Sequence, residues 1–77
     1  MVTSEQIRAA RALIRWSAVD LAAKSGIGVA TIRRIELMDG LPVANTRTLL
    51  AIKSAFESAH IEFIGEPGKS PGVRLIT

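Results

Sequence analysis

Apolar residues recur at helical spacing through the first three quarters of the chain, then switch to alternation near the C-terminus. Ile7, Ala10 and Ile14 lie along one stripe, with Leu13 beside them. Thr3 followed by Gln6 is a capping box, so helix 1 is expected over about Ser4 to Ile14. A second box, Ser17 with Asp20, opens helix 2. Trp16 just before that cap and Leu21 inside it have the spacing of a hydrophobic staple, and Gly26 supplies a left-handed stop. Helix 2 is therefore short, about eight residues.

Gly28 caps helix 3, less well than a hydroxyl would. On a wheel of about 100° per residue, Ile32 and Ile35 fall on one side with Gly28, and Thr31 falls at the edge. Val29, Ala30, Arg33, Arg34 and Leu37 cover the other side. The isoleucines thus face inward and the arginines outward, with an expected end near Met38, before the "DGLP" stretch. Asn45 caps helix 4, in which Leu49, Ile52 and Phe56 share a face to about Ser58. "HIEFIG" breaks the helical period. Ile61 to Ile64 and Val73 to Ile76 read as two strands, joined by the Pro- and Gly-rich turn "EPGKSPG".

Seventy-seven residues make one small domain, which buries only about 60% of its unfolded surface. With no cysteine and one histidine, neither disulfides nor a metal cluster can add stability, so a second copy of the chain is the expected source of further burial. Hydrophobic residues make up 48% and aromatics 4%, a balance suited to packed helices. The apolar runs fall far short of the roughly 18 residues that cross a bilayer, and the N-terminus lacks the pattern of a signal peptide. A cytoplasmic protein without membrane association is expected. A net charge of +3 and a pI near 10.2 admit a polyanionic partner.

Two short helices joined by a Gly-containing turn, the second with exposed arginines, suit a helix-turn-helix. Ala22 offers the small residue needed where such helices cross, Gly26 the turn, Ile27 an apolar plug, and Ile32 and Ile35 the anchors of the second helix. The stretch "LIRWSAVDLAAKSGIGVATIRRIE", Leu13 to Glu36, resembles the Cro-like, phage-repressor-like (Xre-type) helix-turn-helix family. Members of that family read approximately L-x-x-W-S-Q-x-x-L-A-x-x-x-G-V-S-x-x-T-I-x-x-I-E here. Helices 1 and 4 extend the likeness to about Thr3 to Ala59.

The resemblance implies a mainly α fold: a compact lambda-repressor-like helix-turn-helix bundle of four to five helices, with a short C-terminal β-hairpin. Residues 1–60 would form the DNA-binding domain and 61–77 the hairpin. Helix 3 would enter the major groove of double-stranded DNA with its early residues near base edges. By position, Val29, Ala30 and Arg34 face bases, and Arg33 reaches bases or phosphate. Arginine can grip guanine O6 and N7 in a fork, whereas Val29 and Ala30 can only touch a thymine methyl. Phosphate contacts are expected at the N-termini of helix 2 (Ser17 and the Ala18 amide) and helix 4 (Asn45, Thr46 and Arg47), with Arg15 and Lys24 as looser candidates. The family likeness also pairs Arg11 with Glu36, a structural contact. The chain departs from the family pattern at Ala18, where Gln is frequent, and at Gly28, where Ser or Thr is.

The expected activity is that of a sequence-specific transcriptional regulator, most simply a repressor, with no cofactor and no catalytic role. The alternative is an antitoxin-like or adaptor protein that uses the same fold mainly to bind a toxin or another protein. A phosphate-binding loop is excluded at "GKS", Gly68 to Ser70: Phe63 stands where the required preceding glycine would be, and Pro71-Gly72 prevents the following helix. No other residue set offers enzyme chemistry. Trp16 is read as packing, Thr31 as a packed or backbone-bonding hydroxyl, and His60 as a helix-end residue. For the hairpin two arrangements stand open. Ile61, Phe63, Val73 and Leu75 offer apolar surface and open strand edges through which two chains could pair as a homodimer; or the hairpin folds back on helices 1 and 4.

Overall fold

Local hydrogen bonds open the first two helices of the computed structural model, which describes residues 1–77. The Gln6 amide N–H donates to Thr3 Oγ1 at 3.1 Å, and the Thr3 N–H donates to Gln6 Oε1 at 2.9 Å. These bonds satisfy donors left orphaned by the first turn of α1, Ser4–Ile14. Ser17 and Asp20 repeat the arrangement at the start of α2, Ala18–Ser25, which stops at Gly26 with φ +74°. That left-handed backbone suits a residue without Cβ. α3 runs Val29–Glu36 and α4 runs Thr46–Ser58, the latter capped by Asn45. The fold is mainly α, about half helical, with four helices and one antiparallel hairpin.

α3 ends two residues before the expected Met38. The Leu37 and Met38 amides still reach back to Arg33 and Ile35 carbonyls. Arg8 from α1 takes the carbonyls of Glu36 and Met38, so the last turn is closed by a side chain rather than by more helix.

The hairpin differs more. β1 is Ile61–Glu66 and β2 is Lys69–Leu75, so only Pro67 and Gly68 connect them, and the expected seven-residue turn is mostly strand. Two local features permit this. Ser70 and Pro71 bulge opposite Gly65, which places Pro71 where no ladder N–H is needed. Gly65 has φ +75°, and a Cβ there would meet the Ser70 carbonyl oxygen at 2.2 Å, so only glycine fits. Beyond the bulge the register is regular, pairing Phe63 with Val73 and Glu62 with Arg74. The latter two also form an ion pair.

All four helices and β1 feed one core. Ile7, Leu21, Ile32, Ile35, Ile52 and Phe56 are fully buried, with Ala10, Ala55 and Ile61 beside them. Ala22 and Ile27 pack against it, as the helix crossing and the plug require. Trp16, at the staple position, packs on the core that contains Leu21 and stacks its ring on Phe56, with centroids 5.5 Å apart; Phe63 meets Phe56 edge-on at 5.9 Å.

The hairpin folds back on the helices. β2 lies against α1 and β1 against α4. Ile61 is buried, and Phe63 and Val73 pack on the core, so most of the apolar surface expected to be left open is covered within the chain; Leu75 keeps 39% of its surface exposed. Gln6 locks the arrangement, because its Nε2 donates to the carbonyls of Ile64 (3.1 Å) and Gly72 (2.8 Å). Every polar group of this buried side chain is thus satisfied, and no buried side-chain nitrogen or oxygen in the fold lacks a partner. No helix is long and apolar enough to cross a membrane.

The helix starts also set an acid response. Glu5 is held below its ordinary value of 4.5 by its own backbone N–H, then by the Gly40 N–H and Arg8. Asp20 is held below 3.8 by the Ser17 N–H and then the Ser17 hydroxyl. Both carboxyls bind protons more weakly folded than unfolded. Their stabilisation is complete above about pH 4.5 and fades as pH falls through the depressed folded values. Thermal unfolding followed by circular dichroism should therefore lose midpoint temperature on the acid side. In Glu5→Gln/Asp20→Asn that acid limb should be shallower. An equally steep limb in the double variant would assign the acid response to other groups.

Candidate nucleic-acid interface

The burial of Ile32 and Ile35 dictates which way the rest of α3 points. With those two at zero exposure, Arg33 and Arg34 stand outside, as does Ala30, while Val29 is half-buried at the edge. Leu37, which the wheel places outward, is 86% exposed. Gly28, which the wheel sets beside the isoleucines, is instead exposed, because it is the cap residue and has left the helical path.

The two arginines diverge. Arg33 shares a shallow groove with Ala18, Leu37, Arg8, Arg11 and Glu36, so it leans toward the start of α2. Arg34 leans the other way, its Nη1 donating to the Val43 carbonyl at 3.5 Å, two residues before the α4 cap. Arg33 thus shares its groove with the first residue of α2, and Arg34 meets the loop that leads into α4. The ion pairs of the fold are Arg8–Glu5, Arg11–Glu36 and Arg74–Glu62, and neither outward arginine of α3 is neutralised by a carboxylate. No acidic residue sits in the first turn of α3 or of α4. Arg33 and Arg34 thus present unpaired positive charge on the outward side of α3, and the starts of α3 and α4 add helix dipoles of the same sign.

The expected phosphate sites are unequal. Ser17, Asn45, Thr46 and Arg47 are exposed and Ala18 is half-buried. At α2 the Ser17 N–H already donates to Asp20 Oδ2 at 2.9 Å, and Ser17 Oγ already accepts from the Asp20 N–H. The Ser17 hydroxyl hydrogen and the Ala18 and Val19 amides remain for an anion, next to a fixed carboxylate. The capping box thus leaves the expected Ser17 hydroxyl and Ala18 amide available, but sets a negative charge beside them. At α4 the Arg47 N–H donates to Asn45 Oδ1 at 2.8 Å. The Thr46 amide and the side chains of Thr46 and Arg47 carry no such competitor, so the α4 start combines free donors with a cation and no acidic residue in its first turn.

The Arg11–Glu36 pair forms as the resemblance implies. Arg11 Nε reaches Oε2 at 2.7 Å and Nη2 reaches Oε1 at 2.6 Å, a two-pronged contact, while Nη1 donates to the Trp16 carbonyl at 2.9 Å. Hydrogen bonding to Glu36 raises the Arg11 pKa further above its ordinary value, against the opposing effect of burial. Glu36 is only 9% exposed, so this pair fixes the junction of α1 and α3.

Sequence reasoning missed Ser4 and Arg8. Ser4 Oγ donates to the Ile35 carbonyl at 2.8 Å, and Arg8 holds the carbonyls of Glu36 and Met38. Ser4, Arg8 and Arg11 are four and three residues apart, one stripe of a helix, and that spacing was the available signal. It was overlooked because the acceptors are backbone carbonyls, which no sequence pattern marks. A scan of protein-family models and a search of curated proteins find no match to this chain.

Proposed function

We propose that this chain is a sequence-specific DNA-binding regulator of the Cro-like, phage-repressor-like type, acting as a cytoplasmic repressor by occupying its site. In this reading α2, the Gly26 turn and α3 form the helix-turn-helix. The single observation that carries it is the outward Arg33 and Arg34, without carboxylate partners, on a helix whose Ile32 and Ile35 are fully buried, beside the start of α2 and the loop before α4. α3 lies in the major groove, with Arg33, Arg34, Val29 and Ala30 toward base edges and Ser17, Ala18, Asn45, Thr46 and Arg47 toward phosphates. Two copies, joined partly through hairpin edges and the exposed Ile64, Leu75 and Ile76, would read half-sites roughly 34 Å apart.

A second reading, an antitoxin-like or adaptor protein, draws support from the 86% exposure of Leu37 and the 81% exposure of Val43 beside the arginines. Selection of bound duplexes from random DNA at two salt concentrations separates the two. A recovered palindrome, bound more weakly at the higher salt, supports the regulator and its twofold symmetry. No enrichment at either salt would leave the protein-binding reading as the better one.

A further inference from the structure

α3 has unequal ends. Its N-terminus is capped by Gly28 with no side-chain hydrogen bond. Its C-terminus is gripped by one stripe of α1. Ser4 Oγ donates to the Ile35 carbonyl, Arg8 Nη1 donates to the carbonyls of Glu36 and of Met38 (3.2 Å), and Arg11 forks onto the Glu36 carboxylate. The loop beyond is tied to the same end of α1, since the Gly40 N–H donates to the Glu5 carboxylate at 3.0 Å and the Ser4 N–H donates to the Gly40 carbonyl at 2.8 Å.

Ser4 and Arg8 both reach helix and loop, and of the two only Arg8 does so with a single charged group. It binds the last carbonyl of α3 and the carbonyl two residues on, spanning the point where the chain leaves the helix. The buried Ile32 and Ile35 hold α3 down but resist rotation about its axis poorly, because apolar contact is not directional. Charge-assisted hydrogen bonds to two successive acceptors are directional and resist that roll. The residues whose bearing depends on the roll are Arg33 and Arg34, immediately before the gripped turn.

We propose that Arg8 is a positioning residue: by bridging the Glu36 and Met38 carbonyls it fixes the roll of α3 and thereby sets how sharply its arginines discriminate one base sequence from another. This rests on the DNA-binding reading above. A base-edge fork tolerates little misplacement, whereas a phosphate contact tolerates much, so loosening the roll costs discrimination before it costs affinity.

The test is Arg8→Met, which keeps a long helix-favouring stem and removes the fork. Two measurements are made on the full chain. In the free protein, amide hydrogen exchange at Leu37 and Met38 should speed up about tenfold, the loss expected for charge-assisted hydrogen bonds at a helix end, while amides of α4 and the hairpin keep their rates. With DNA, the ratio of affinities for a selected duplex and a scrambled one should fall about tenfold, with the affinity for the scrambled duplex and its salt slope unchanged.

An equal loss on both duplexes with a salt slope smaller by about one would make Arg8 a phosphate contact and overturn the proposal. So would an unchanged affinity ratio, or exchange that quickens everywhere in step with lower global stability. If the wild-type chain discriminates between no duplexes, the DNA-binding reading fails on its own. The grip on α3 is then judged by exchange alone, and unaltered rates at Leu37 and Met38 would reject it.

Discussion

Phe56→Ala should cost about 3–5 kcal/mol of folding stability, the loss typical of a buried aromatic truncated in a core. The ring is fully buried and is the centre of a three-ring contact that joins the α1–α2 junction through Trp16, α4 through itself and β1 through Phe63. A domain of this length holds only about 4–12 kcal/mol in total, so the variant should melt about 15 °C lower or more, or fail to fold at all. Chemical unfolding followed by tryptophan fluorescence reads the effect directly, because Trp16 is the only tryptophan and faces the mutated ring. A midpoint within a few degrees of wild type would mean that the core does not depend on this joint.

Arg33→Ala/Arg34→Ala should leave stability within about 0.5 kcal/mol of wild type, because both side chains are exposed and without carboxylate partners. Its effect on DNA should be large. A two-pronged arginine–guanine contact discriminates by about 1–3 kcal/mol, so losing two should weaken a selected duplex by about a hundredfold or more. Where one arginine instead meets phosphate, the salt slope should become shallower by about 0.9 for that contact. The single variants separate these outcomes. Arg33 leans toward α2 and Arg34 toward the loop before α4, so they should not lose the same base positions. Binding across a range of salt concentrations, with circular dichroism on the same samples, makes the measurement. Unchanged affinity and slope in a folded double variant would remove α3 from the interface and, with it, the proposed function.

Much of this arrangement was legible because it is local. The boxes at Thr3–Gln6 and Ser17–Asp20, the stop at Gly26 and the cap at Asn45 each involve residues within three positions of one another. Their hydrogen bonds form whenever the helix forms, so residue type and spacing suffice to find them. The inward set Ile32 and Ile35 and the outward set Arg33 and Arg34 follow from the helical period alone. The hairpin was less legible. Pro and Gly mark a turn in general, yet here Pro71 sits in a bulge inside β2 and Gly65 in the matching kink of β1, a pairing that depends on both strands together.

By itself, then, the order of residues determined where the helices lie, which face of each is apolar and that α3 turns two cations outward, since each depends on neighbours within a turn or two. Only the tertiary structure decided that Arg33 shares a groove with the start of α2 while Arg34 meets the loop before α4, that Gln6 ties the hairpin down and that Arg8 closes α3. These rest on partners brought close by the fold, several of them backbone carbonyls 28 to 66 positions away. A carbonyl is the same chemical group at every position, so nothing in the string of side chains singles out the one that will be met; packing alone does.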